Sequence, residues 1–116
     1  MNTTDAIVIG LTIAANAGAA IADVAKADIV MKTSKEVGVS TSWMPIMAGL
    51  KSAGAAGLLL GLFGVPIVGT AAAAGLVLYF IAALIAHIRA HVFYNIAFPG
   101  FYFALAAGSL ALSVSR

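Results

Sequence analysis

A lysine stands inside an otherwise apolar stretch, GLKSAGAAGLL at residues 49–59. An ammonium group within hydrocarbon costs about 2.5–3.5 kcal/mol on insertion scales, so such a residue is either paired or part of a functional site. Asp23 supplies the opposite charge near the end of an earlier apolar stretch. Because helical side chains lean toward the N-terminus of their own helix, we expect Lys51 to reach back toward Asp23.

The rise of 1.5 Å per residue in a helix places further polar side chains near the depth of Lys51. We therefore predict an intramembrane polar pocket in the half of the bundle nearest the longer loops. The candidate pocket residues are Asn16, Asp23, Lys51, Tyr79, His87 and Tyr102. Two interpretations stay open: an ion pair that only fastens two helices together, or a pocket that binds a ligand.

The two histidines, His87 and His91, are four residues apart, which is metal-ligand spacing on a helix. No acid or cysteine lies nearby in the sequence to complete a metal site. We therefore predict no metal and favour an interfacial, solvated pair, with a single-histidine haem or a metal site as the alternatives.

Tyrosines and phenylalanines could stack a flat ligand such as a quinone, although packing and interfacial roles are more common. The sequence requires no cofactor and identifies none, and quinone and haem stay as alternatives. The sequence contains no recognisable nucleophile–base–acid arrangement and no phosphate-binding loop. Whether the protein is an enzyme therefore stays open.

Composition sets the environment in which these residues must be positioned. Of 116 residues, 63% are hydrophobic and 9% are charged, whereas soluble domains carry about 25% charged residues. An integral membrane protein is predicted, and a spanning helix needs about 20 apolar residues. Four such stretches occupy 6–25, 43–63, 66–86 and 96–114, with a polar loop at 26–42 and a connection at 87–95. We also expect the first helix to continue past Asp23 as an amphipathic extension.

The predicted fold is therefore all-α: one transmembrane domain over residues 1–116, built as an antiparallel four-helix bundle with both termini on the same side. Small residues let helix backbones approach closely in membranes. The second stretch carries Gly54, Gly57 and Gly61, the last two in GxxxG spacing. We predict these glycines to be helix-packing positions.

The basic residues predict the orientation. Both longer connections fall on one side and carry Lys26, Lys32, Lys35 and Arg89, whereas the other side carries Arg116. Cytoplasmic loops of membrane proteins are enriched in Lys and Arg. We therefore expect a multi-pass protein of the cell (inner or plasma) membrane with both termini outside. Residues 1–5 have no basic residue, so we expect no cleaved signal peptide.

The partners follow from the same composition. The chain has no basic patch of the kind that nucleic-acid binding requires, so we predict no nucleic-acid partner. Membrane lipids must contact the apolar surfaces. A protein partner in a membrane complex, or a homo-oligomer, is a further expectation.

Several segments resemble actinobacterial members of the DoxX-like family of small four-span membrane proteins. They include EVGVSTSWMPIMAGLKSAGAAGLLLGL (36–62), GVPIVGTAAAAGLVLYFIAALIAHIRA (64–90) and YNIAFPGFYFALAAGSLAL (94–112). The resemblance implies the four-helix fold and a membrane location. The family name derives from a thiosulfate:quinone oxidoreductase subunit, so it also implies an oxidoreductase association. Some relatives carry Glu where this chain has Lys51, and the resemblance assigns no catalytic residue.

Overall fold

The computed structural model of the protein describes residues 2–115, which fold as an all-helical bundle. Its helices are α1 (Thr3–Val24), α2 (Asp28–Glu36), α3 (Met44–Leu62), α4 (Pro66–Arg89) and α5 (Ala97–Val114), and a 3₁₀ turn at Thr41–Trp43 precedes α3. The predicted all-α bundle is confirmed. Four of the five helices are long and apolar enough to cross a membrane.

Local sequence explains where several helices begin and end. The Asn2 side chain caps α1 by accepting a hydrogen bond from the backbone N–H of Asp5, which satisfies one of the donors left free at a helix start. Proline stands in the first turn of α3 and of α4, where its missing N–H removes no helical hydrogen bond. Gly64, at φ +106°, turns the chain between these two helices, a conformation that favours glycine.

The four long helices pack in a ring. α1 lies against α3 and α5, and α4 lies against the same two helices. All four long helices contribute to the core cluster, which consists of Ile9, Leu58, Ala73, Leu76, Phe80 and Ala106.

The glycines of α3 lie where α4 approaches most closely. A Cβ added to Gly61 would lie 2.7 Å from the Cα of Gly69, and one added to Gly57 would lie 2.6 Å from the Cβ of Ala72. A Cβ on Gly54 would collide with the Leu76 side chain. Glycine at these positions allows the two helices to pack at this distance.

The outer surface of the bundle is apolar. Large side chains such as Ile67, Phe63, Leu78 and Phe101 are between 60% and 83% exposed. Soluble proteins rarely expose contiguous apolar surface on this scale. Lipid is the solvent that such a surface requires.

The segment after α1 differs from the predicted extension. α1 ends at Val24, Lys26 adopts a left-handed conformation (φ +52°), and α2 begins as a separate helix at Asp28. Neither glycine nor proline marks this break. α4 also extends to Arg89, so His87 belongs to a helix and not to the connection.

Candidate functional site: an intramembrane cavity

An ion pair joins α1 to α3. Lys51 Nζ donates a hydrogen bond to Asp23 Oδ2 at 2.8 Å. The side chains are 12% and 1% exposed, respectively. A charge in such surroundings is tolerated when an opposite charge neutralises it. The two residues therefore have to be considered as a unit.

An aromatic ring from α4 completes the surroundings of the lysine. Lys51 Nζ lies 5.4 Å from the ring centroid of Tyr79, within the range of a cation–π interaction. Tyr79 contacts Phe80 edge-on with centroids 4.9 Å apart, and Phe80 lies 5.3 Å from Tyr102 of α5. The ammonium group is thus linked to carboxylate and aromatic groups on neighbouring helices.

These groups line a partly open cavity of ≈ 520 Å³ between the helices. Most of its lining is apolar, with contributions from Trp43, Met47, Phe80 and Phe98. Its principal polar side chains are Asp23, Lys51, Tyr79, His87, Asn95 and Tyr102. An apolar cavity with a few polar groups is the usual form of a site for a small lipophilic molecule.

The short helix α2 covers one end of the cavity. Val30, Thr33, Ser34 and Val37 all line it, and their i, i+3, i+4, i+7 spacing places them on one helical face. Lys32 and Lys35 are exposed. The amphipathic pattern of this segment therefore directs its apolar and small polar side chains inward.

Contacts with the connection after α4 hold α2 in place. The Tyr94 hydroxyl donates a hydrogen bond to Glu36 Oε1, and this bond raises the pKa of Tyr94 because it favours the protonated phenol. Asn95 Nδ2 donates to Thr33 Oγ1 at 3.3 Å. Lys32 Nζ lies 6.0 Å from the Tyr94 ring centroid.

Five of the six candidate pocket residues line this cavity, and Asn16 does not. Asn16 is fully buried, and its Nδ2 donates to the Thr12 carbonyl one turn earlier in α1. It stands on nearly the same face of the helix as Asp23 but two turns, or about 10 Å, deeper. The cavity does not extend to Asn16.

The two histidines separate in the structure. His87 is 5% exposed and lines the cavity, whereas His91 is exposed, lies beyond the end of α4 and adopts φ +56°. The interpretation as a solvated pair on one face is wrong for His87, because α4 continues far enough to turn that ring inward. Within residues 2–115, no group of three His, Cys, Asp or Glu side chains could hold a metal ion.

Some polar residues in the bundle were not anticipated from the sequence. Asn95 and Thr33 line the cavity although both belong to segments interpreted as polar connections. Thr12 and Ser109 are fully buried, and their hydroxyl oxygens lie 2.8 Å apart across α1 and α5. The contact between Thr12 and Ser109 could have been expected from the sequence, because polar side chains inside apolar spans must find partners within the bundle.

The fold and the apolar exterior define a small multi-pass membrane protein. A sequence model of the DoxX-like family matches residues 7–109, and the chain belongs to that family. No curated protein and no solved structure matches the chain.

Proposed function

We propose that this DoxX-like protein is a binding subunit of a membrane complex, which holds a lipophilic molecule in the cavity between its helices. The observation that carries the proposal is the cavity itself: ≈ 520 Å³, mostly apolar, with an ion pair and a few further polar groups on its wall. Such a cavity can accept an apolar body and orient one polar end. The ion pair serves as a neutral polar wall.

Co-purified molecules test this binding role. The protein would be purified in mild detergent, and the bound lipophilic molecules would be extracted and identified by mass spectrometry. Ala86→Phe places a ring in the cavity, and Ala71→Phe is the matched control because Ala71 is an exposed residue of the same helix outside the cavity. We expect an enriched molecule in the wild type and in Ala71→Phe that is lost in Ala86→Phe. Identical extracts from all three would contradict the binding role.

The proposed role as a subunit of a membrane complex, here called the accessory role, has its own test. Proteins retained during the same purification would be identified, and the mass of the complex would be measured in a lipid nanodisc. The accessory role predicts a second protein in stoichiometric amount. Recovery of this chain alone, or only as a homo-oligomer, would contradict that role and leave the binding role intact.

A redox role with a quinone-like ligand is the second candidate. The aromatic residues Tyr79, Phe80 and Tyr102 on the cavity wall favour it, because their rings could stack on a flat ligand. The absorption spectrum of the purified protein tests it. A haem or flavin band, or a bound quinone that changes its spectrum on reduction, would support the redox role. A colourless preparation without quinone would contradict it.

The orientation is proposed from charge. Lys26, Lys32, Lys35 and Arg89 are exposed and belong to α2 or to helix ends near it, so the positive-inside rule places this end in the cytoplasm. Arg116 lies outside the described residues. In a cell membrane both termini would then face outward.

The chain has no cysteine, so single cysteines at Ser40 and Ser115 can test the orientation. A membrane-impermeant maleimide applied to intact cells should label Ser115→Cys and not Ser40→Cys. The opposite pattern would reverse the proposed orientation.

A further inference from the structure

His87 lines the cavity and carries an unpaired, buried hydrogen-bond acceptor. Its Nδ1 lies 2.9 Å from the carbonyl oxygen of Ala83, and because a carbonyl only accepts, Nδ1 must carry the proton. In a neutral imidazole Nε2 then has a lone pair and no hydrogen. Among residues 2–115 this buried Nε2 has no hydrogen-bond partner.

Asn95 also lines the cavity and carries a second unpaired acceptor. The residue is 9% exposed, and its Nδ2 is used in the hydrogen bond to Thr33 Oγ1. Its Oδ1 is buried and has no partner in the described part of the chain. Buried polar atoms are nearly always satisfied in native proteins. Asn16 Oδ1, outside the cavity, is also unpaired, but the acceptors of His87 and Asn95 belong to cavity-lining residues, where the donor of a bound molecule could satisfy them.

Both residues belong to the same end of the bundle, His87 to the last turn of α4 and Asn95 to the connection between α4 and α5. His87 follows Tyr79 by eight residues on α4, or about 12 Å along the helix. The ion pair lies near Tyr79, whereas Asn95 lies beside Thr33 of α2. Between these ends the wall includes Phe80, Ala83 and Phe98. An elongated apolar molecule with a donor at one end matches this arrangement.

We propose that His87 and Asn95 form a hydroxyl-binding subsite, and that the cavity takes a lipophilic alcohol or phenol. The ligand O–H donates to His87 Nε2, and a second hydroxyl on the same ligand can donate to Asn95 Oδ1. The apolar body extends from this subsite toward the Tyr79 ring. This inference rests on the proposed binding role and adds the chemical class of the ligand.

A pair of probes that differ in one donor tests the subsite. Para-nonylphenol and its methyl ether have the same ring and chain, but only the phenol can donate. Binding would be measured in lipid nanodiscs through the fluorescence of Trp43, the one tryptophan of the chain, which lines the cavity. We expect the phenol to bind about fivefold to tenfold more tightly, as one net hydrogen bond provides.

Two variants test which residues are responsible for the preference for the phenol over its ether. His87→Phe keeps a ring of similar size without an acceptor, and Asn95→Leu removes the second acceptor. We expect His87→Phe to abolish the preference for the phenol while the ether binds as it does to the wild type, and Asn95→Leu to weaken the preference. The control is His91→Asn, which changes an exposed histidine outside the cavity and tolerates its positive φ.

The outcomes separate the two proposals. If the wild type binds neither probe, the binding role itself fails. If it binds both equally, the hydroxyl subsite is overturned and the binding role stands. The preference for the phenol could instead survive both variants and disappear in Lys51→Met. That result would place the ligand hydroxyl at the ion pair and overturn the assignment to His87 and Asn95. The comparison of the two probes on the wild-type protein tests the hydroxyl subsite even if a variant fails to fold.

Discussion

Lys51 and Asp23 stand 28 residues apart in the chain and meet at 2.8 Å between α1 and α3, with the aspartate side chain 1% exposed. Each charge neutralises the other in surroundings where neither would be stable alone. The pair therefore fixes the relation of two helices and also forms part of the cavity wall. These two consequences can be separated by experiment.

Removal of one partner should destabilise the protein more than removal of both. Lys51→Met leaves Asp23 buried without its counter-ion, and we expect a loss of about 3–5 kcal/mol in the free energy of unfolding. Lys51→Met combined with Asp23→Leu should recover most of that loss. Unfolding in mixed detergent micelles measures both, with the exposed Lys35→Met as the control. Equal stability of the single and double variants would show that the charges are not coupled.

The close approach of α3 and α4 should be sensitive to a single methyl group. Gly61→Ala would place a Cβ 2.7 Å from the Gly69 Cα, and because that neighbour is backbone it cannot rotate away. We expect a loss of about 1–3 kcal/mol, measured as a lower midpoint of thermal unfolding in detergent. Gly75→Ala is the matched control in α4, since nothing lies within 4 Å of its added Cβ. A similar midpoint for both variants would be inconsistent with this packing.

The main elements of the fold could be predicted because each apolar stretch of about 20 residues has one stable environment, a bilayer. The pairing of Lys51 with Asp23 could also be predicted, since two charges at compatible depths have a large energetic reason to meet. Helix rise along each span gave those depths. The glycine positions of α3 followed from the same reasoning about small residues.

Other features depend on tertiary structure that the pattern does not encode. The break before α2 occurs at one left-handed residue, Lys26. No glycine stands there to indicate the break in the sequence. The burial of His87 depends on where α4 ends and on α2 covering the cavity. A polar segment such as HIRAHVFYN has the composition of a loop, so the inward orientation of His87 and Asn95 becomes visible only in the folded chain.

A hydrogen bond between α1 and α5 should contribute measurably to stability. Thr12 Oγ1 also lies 2.8 Å from the Val8 carbonyl oxygen, so its single proton can serve that acceptor while Ser109 donates to Thr12. A double-mutant cycle of Thr12→Val and Ser109→Ala isolates the contact. We expect a coupling energy of about 0.6 kcal/mol, and at most about 1.7 kcal/mol, as for buried contacts in other membrane proteins. Additive effects of the two substitutions would mean that the hydroxyls do not interact.

The contact between Tyr94 and Glu36 should appear in the titration of the phenol. The hydrogen bond to Glu36 is the largest cause that raises the pKa of Tyr94, followed by desolvation and by the negative charge of Glu36, while the Lys32 ammonium 6.0 Å from the ring centroid opposes the shift. We therefore expect Tyr94 to titrate above about 10, the ordinary value, in an NMR titration of tyrosine-labelled protein. Glu36→Gln should lower the pKa of Tyr94. Lys35→Gln is the control, because the lysine that lies over the Tyr94 ring is Lys32 and not Lys35.

The sign of the stability effect follows from the direction of this shift. A raised folded-state pKa means that the contact stabilises α2 below the unfolded value, and that the stabilisation is lost as pH rises through the folded value. A fluorophore attached to α2 should therefore report release of the helix only at strongly alkaline pH in the wild type. Release at the same pH in Tyr94→Phe would show that the hydroxyl does not hold α2 in place.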